Sequence, residues 1–127
     1  MRRVVVDMQN YLFADAVALA LKNADSDFDV LRSESPENTT DLCRLSVPYA
    51  LIMEVTEYPP WNLEERLQIR SEVKRQNPHC KVVLIVDENA EKKLARRVRQ
   101  AKKDGLIDSF IYGSVSTAYL SAVIDTL

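Results

Sequence analysis

The sequence predicts an α/β fold: a doubly wound, five-stranded parallel sheet of (βα)5 order with helices on both faces. Five short apolar runs alternate with five stretches of helical period along the 127 residues. Two of the runs, Ala50-Leu51-Ile52-Met53 and Val82-Val83-Leu84-Ile85-Val86, are continuously apolar, as strands covered on both faces are. Each pair of successive strands is separated by a helix, and parallel neighbours need such right-handed crossovers.

The first strand is expected at residues 3–6, and the helix after it at 12–23, with Leu12, Ala16, Leu19 and Ala20 on one apolar face. A strand at 28–32 leads to a shorter helix at 37–45, whose first turn suits Pro36. The central strand at 49–55 precedes a helix at 63–76. Asn62 fits its N-cap, Leu63, Leu67, Ile69 and Val73 point to the core, and Asn77-Pro78 stops it. A strand at 81–86 is followed by a helix at 90–103 that ends on Asp104-Gly105. The fifth strand spans 107–112, and the fifth helix, 117–127, spaces Leu120, Val123, Ile124 and Leu127 helically.

Composition narrows the function classes. With 46% hydrophobic and 28% charged residues the chain can bury a core, and its length suits one domain, residues 1–127. No apolar run approaches the ~20 residues of a membrane span, so no membrane partner and a cytoplasmic setting are expected. Cys43, Cys80 and His79 have no zinc-ligand spacing and read as packed or structural residues, so no metal centre is expected. Gly105 and Gly113 are the only glycines, which excludes Gly-rich phosphate loops.

In parallel sheets the functional crevice lies beyond the carboxyl ends of the strands. The residues to inspect are therefore Asp7, Ser33, Glu54, Asp87 and Gly113.

Three segments carry a family resemblance. They are Val4-Val5-Val6-Asp7 with Leu12-Phe13-Ala14-Asp15-Ala16, then Asn77-Pro78-His79-Cys80 leading into Lys81 and the fourth strand, and Asp104-Gly105-Leu106-Ile107-Asp108-Ser109-Phe110-Ile111-Tyr112. In order and spacing the chain resembles the receiver domain of two-component response regulators, of the chemotaxis-regulator type, over nearly its whole length. The resemblance implies a flavodoxin-like fold and phosphorelay signalling. It also implies an aspartyl phosphoacceptor after the third strand, with a magnesium ion held by that aspartate and an acidic pair after the first strand.

The chain departs from that pattern where the chemistry sits. Glu54 occupies the phosphoacceptor position, and Asp7 matches one acid of the pair but is followed by Met8. Val86 stands where the family has a hydroxyl residue, and Gly113 where it has a lysine; Phe110 matches the switch aromatic. Glu54 is one methylene longer than aspartate, and a displacement of an ångström costs on the order of 100-fold in positioned chemistry. Asp7 and Glu54 are thus expected to form a solvated acidic pocket with at most a weak magnesium site and no other cofactor.

The fourth helix is the chain's basic surface. Residues 91–104 hold seven bases against Glu91 and Asp104, a net of +5, leaving −7 for the rest of a chain of net charge −2. No aromatic residues interleave the bases, so direct nucleic-acid binding is not expected. The resemblance instead implies a protein partner or a homodimer through the fourth helix, fifth strand and fifth helix, with Arg96, Arg97, Lys102, Ile111 and Tyr112 as interface residues. Leu94 and Ile111 would form its apolar centre, and Asp108 or Asp125 of the second copy would meet the bases. Trp61, in the loop beyond Glu54, caps the pocket or packs that loop.

The sequence reading is a non-enzymatic, degenerate receiver-like domain that acts through protein contacts. Two alternatives stand beside it: a phosphorylation-competent receiver using a non-standard acid, and one part of a transcription regulator whose DNA-binding output domain lies outside this chain.

Overall fold

The computed structural model describes residues 1–113 and 117–127. Its elements run β1 (Arg2–Asp7), α1 (Tyr11–Ala24), β2 (Phe28–Arg32), α2 (Pro36–Ser46), β3 (Ala50–Glu54), α3 (Leu63–Gln76), β4 (Lys81–Val86), α4 (Lys92–Lys103), β5 (Ser109–Tyr112) and α5 (Thr117–Asp125). The five strands form one parallel sheet in the order β2-β1-β3-β4-β5. This is the doubly wound, flavodoxin-like arrangement expected, with every element boundary within two residues of its predicted place.

Alternation along the strands divides the core in two. Val5, Leu51, Met53, Val82, Leu84 and Val86 pack with residues of α2, α3 and α4, whereas Val4, Val6, Ile52, Val83, Ile85 and Ile111 pack with those of α1 and α5. The two continuous apolar runs, β3 and β4, lie inside the sheet, as their composition requires. Among the described residues no helix is long and apolar enough to cross a membrane.

Local side-chain bonds explain two shifted boundaries. The Asp87 carboxylate accepts the N–H groups of Asn89 and Ala90 at 3.0 and 3.1 Å, which holds a turn and delays α4 to Lys92. Asp108 accepts the Val82 N–H at 2.8 Å; Ile107 is buried ahead of β5 instead of belonging to it. Asn62 does stand at the N-cap of α3, but its side chain makes no capping bond and its amide donates to Glu64 at 3.1 Å.

The face assigned to α1 is corrected. Ala14, Val17 and Leu21 are buried, while Leu12 and Leu19 are 81% and 61% exposed. Both sides of this helix are apolar, so the period alone does not choose between them. The Asn10 side chain caps the helix, accepting the Phe13 N–H at 3.1 Å.

Candidate functional site

At the carboxyl edge of the sheet, β1 ends on Asp7 and its neighbour β3 ends on Glu54, with Asp7 in register with Met53. The two carboxylates have different surroundings. Asp7 is 1% exposed. Its Oδ2 accepts the Thr39 hydroxyl at 2.6 Å and Arg66 Nη1 at 2.6 Å.

Arg66 enters from the first turn of α3 and is wholly buried. Its Nη2 donates to the Asp7 carbonyl at 3.2 Å, and its Nε donates to the Glu54 carbonyl at 2.8 Å. One planar guanidinium thus joins the ends of β1 and β3 through three elements' backbones and side chains, a task suited to its rigid fork of donors. Behind it, the Ser33 and Thr39 hydroxyls lie 2.7 Å apart, and the Thr39 proton goes to the charged acceptor, Asp7. This corrects the expected solvated acidic pair: Asp7 is sealed inside with an internal cation.

Glu54 is half-buried and turns towards the loop between β1 and α1. Its Oε1 accepts the N–H groups of Gln9 and Asn10 at 2.8 and 3.2 Å. The extra methylene therefore lets this carboxylate hold the turn that begins α1.

Further acids crowd the same edge. The Glu91 carboxyl is held above its ordinary pKa, first by burial and then by the nearby charges of Glu57, Asp87 and Glu54, although the Glu57 N–H donates to it at 2.8 Å.

A magnesium ion does not fit this donor set. Asp7 already satisfies Arg66 and Thr39, Glu54 holds two amides, and among the described residues no group of three His, Cys, Asp or Glu side chains is placed to hold a metal. A hard divalent cation takes six or more oxygen ligands, with carboxylates free to face it. The weak metal site expected at Asp7 and Glu54 is replaced by the guanidinium.

Solved structures share this architecture. The signal receiver domain of the response regulator NarL from Mycobacterium tuberculosis matches with a TM-score of 0.73 at 19% identity, over 98% of this chain and 94% of that one. A receiver domain protein from Clostridium thermocellum matches at 0.78 and 16% identity, over 99% and 93%. A LuxR-family DNA-binding response regulator from Staphylococcus aureus matches at 0.68 and 13%, over 99% and 95%. The fold is that of a response-regulator receiver domain. No family model and no curated protein matches the chain.

On this receiver fold the remaining positions singled out in the sequence fall into two places. Val86 is 1% exposed and packs into the core beside α4. Gly113 donates its N–H to the Val86 carbonyl at 2.9 Å. A Cβ there would meet the Val86 oxygen at 3.8 Å and Phe13 Cε2 at 4.0 Å, ordinary contacts, so the backbone does not demand glycine.

Phe110 and Tyr112 are partly buried, with ring centroids 5.5 Å apart. Lys102 Nζ lies 5.7 Å from the Phe110 ring, and Arg99 donates to the Tyr112 hydroxyl at 2.9 Å. These contacts tie the basic helix to β5.

The interface expected on this face is corrected in part. Ile111 is 2% exposed and packs towards α1 and α5, and Leu94 is 3% exposed under α4, so neither can centre a contact between molecules. Asp108 is engaged by Lys74 at 2.9 Å and Asp125 by Arg2 at 2.8 Å. Arg97 is paired with Glu64 on α3, whereas Arg96 and Lys102 are exposed.

Sequence reasoning missed Arg66 and Thr39. A signal for Arg66 existed: it lies three residues after Leu63 and seven before Val73, on the stripe that α3 buries.

Proposed function

We propose that the chain is a receiver-type signalling module that works through protein contacts instead of a phosphorylated side chain. The observation that carries this reading is the buried Arg66 guanidinium, bonded to the Asp7 carboxylate and the Glu54 carbonyl. Phosphoryl transfer depends on cations and donors positioned for the incoming oxygens. Here the guanidinium is committed inward, Val86 supplies no hydroxyl and Gly113 no ammonium. A phosphoryl group on Glu54 would instead approach the acidic cluster centred on Glu91.

The contact surface on this reading is α4 with the edge of β5. Lys92, Arg96, Arg99 and Lys103 are exposed at i, i+4, i+7 and i+11, a single stripe about 16 Å long at the helical rise of ~1.5 Å per residue. Its fit is an acidic protein surface, with Arg96, Arg97, Lys102 and Tyr112 at the contact. Charge pairs at such a rim set specificity and encounter rate more than affinity.

Incubation with a small phosphodonor and magnesium, followed by intact-mass measurement, tests the reading. The expected result is no added phosphoryl mass. A stoichiometric, hydroxylamine-sensitive adduct on Glu54 would overturn it in favour of a competent receiver using a non-standard acid.

A further inference from the structure

A groove of about 340 Å³ lies between the start of α4 and the loop that joins β3 to α3. That size belongs to the small end of ligand clefts, which span roughly 300–1,000 Å³. Leu63 and Leu94, both nearly sealed from solvent, form its floor. Arg97 of α4 and Glu64 of α3 line opposite walls and pair across it, and the Asn62 amide also donates to Glu64 at 3.1 Å, so these two charges are already engaged.

Two lining charges are left. Glu57 on the loop wall and Lys93 on the helix wall are exposed, and among the described residues neither side chain has an ion-pair or hydrogen-bond partner. The loop wall is preorganised: the Glu57 N–H donates to Glu91 Oε2 at 2.8 Å, the Thr56 hydroxyl accepts the Tyr58 N–H at 3.1 Å, and the Thr56 N–H donates to the Trp61 carbonyl at 2.9 Å. Lys93 stands in the first turn of α4, which carries no acid, at the positive end of the helix dipole, so an anion is favoured beside it.

We propose that this groove binds a small zwitterion of the α-amino acid class, with its ammonium on Glu57, its carboxylate on Lys93 and an apolar side chain against Leu63 and Leu94. A lone anion would be repelled by Glu57 and a lone cation by Lys93, so the two are satisfied together only by a ligand that carries both charges. The Arg97–Glu64 pair crosses the groove from wall to wall, which suits a small molecule and not a peptide running along it. The site lies beside the outward stripe of Lys92, Arg96, Arg99 and Lys103, and it does not depend on the protein contact assigned to that stripe.

Titration of the isotope-labelled full chain with each of the free α-amino acids, followed by amide shifts, tests the proposal. Saturable shifts at Glu57, Leu63, Lys93 and Leu94 are expected with at least one apolar amino acid. Its N-acetyl and carboxamide derivatives, each lacking one charge, should bind about tenfold more weakly, as the loss of one charge-assisted contact requires. Glu57→Gln and Lys93→Gln should weaken binding by a similar factor with circular dichroism unchanged, whereas Lys92→Gln, which removes a neighbouring base outside the groove, should bind as the parent does. No saturable shift at these amides with any amino acid, derivatives that bind as well as the free amino acid, or Glu57→Gln and Lys93→Gln variants that bind as the parent does would each overturn the proposal.

Discussion

Arg66 Nη1 lies 2.6 Å from Asp7 Oδ2, and neither side chain reaches solvent, at 0% and 1% exposure. Two charges withdrawn from water at that depth are tolerable because each of the three guanidinium nitrogens donates to an oxygen. Asp7 gains a second partner in Thr39. The pair joins α3 to the ends of β1 and β3, so it serves the tertiary structure at the very edge where a receiver fold keeps its chemistry.

Removing one partner should therefore cost far more than removing both. Arg66→Met leaves the Asp7 charge buried and unpaired, and a loss of about 3–5 kcal/mol is expected. Asp7→Leu should be comparably damaging, whereas the double variant should recover a large part of the sum. Urea unfolding of the four proteins completes the cycle. Additive losses would show that the two side chains do not act as a pair.

The sheet was legible because strand and helix periods differ and β3 and β4 carry unbroken apolar runs. The site was less so. A lone arginine in a charged helix reads as solvated; its place on the Leu63–Val73 stripe sets Arg66 apart from Arg75, but Arg70 shares that stripe and only the structure shows that Arg66 is the one buried. The two faces of α1 are a different failure: with apolar residues on both, the period does not choose between them, and the Glu54 bonds to Gln9 and Asn10 that hold the turn before the helix come from far along the sequence.

The two thiols are expected to be inert in the native state. Burial pushes Cys43 up to about 12 and Cys80 up to about 11 from an ordinary 9.0. The folded protein therefore holds these protons after the unfolded chain has released them, so stability falls as pH rises past the ordinary value towards the folded ones. Native protein should resist a thiol reagent that labels both cysteines in urea. The alkaline loss of stability should be smaller in the Cys43→Ala, Cys80→Ala double variant.

Asp108 should contribute to the acid limb with the opposite sign. Burial alone would raise its carboxyl, but the Val82 N–H and the Lys74 ammonium outweigh that and hold it below the ordinary 3.8. A depressed carboxyl adds stability above its unfolded pKa and loses it as pH falls through the folded value. Asp108→Asn should thus lower stability at neutral pH and flatten the fall below about pH 4. An acid limb unchanged in slope would assign that fall to other carboxyls.

Arg96 separates folding from recognition on α4. Lys92 lies four residues before it and Arg99 three after, so the exposed face carries like charges at the spacings where helix neighbours interact. Arg96→Glu converts both repulsions into attractions and should stabilise the isolated chain by about 0.5 kcal/mol in urea unfolding. The same change removes a central base from the stripe that an acidic protein would meet, so binding to an acidic probe such as polyglutamate should weaken while stability rises. A variant that loses stability, or that binds the probe as the parent does, would show that this stripe is not held for an external anion.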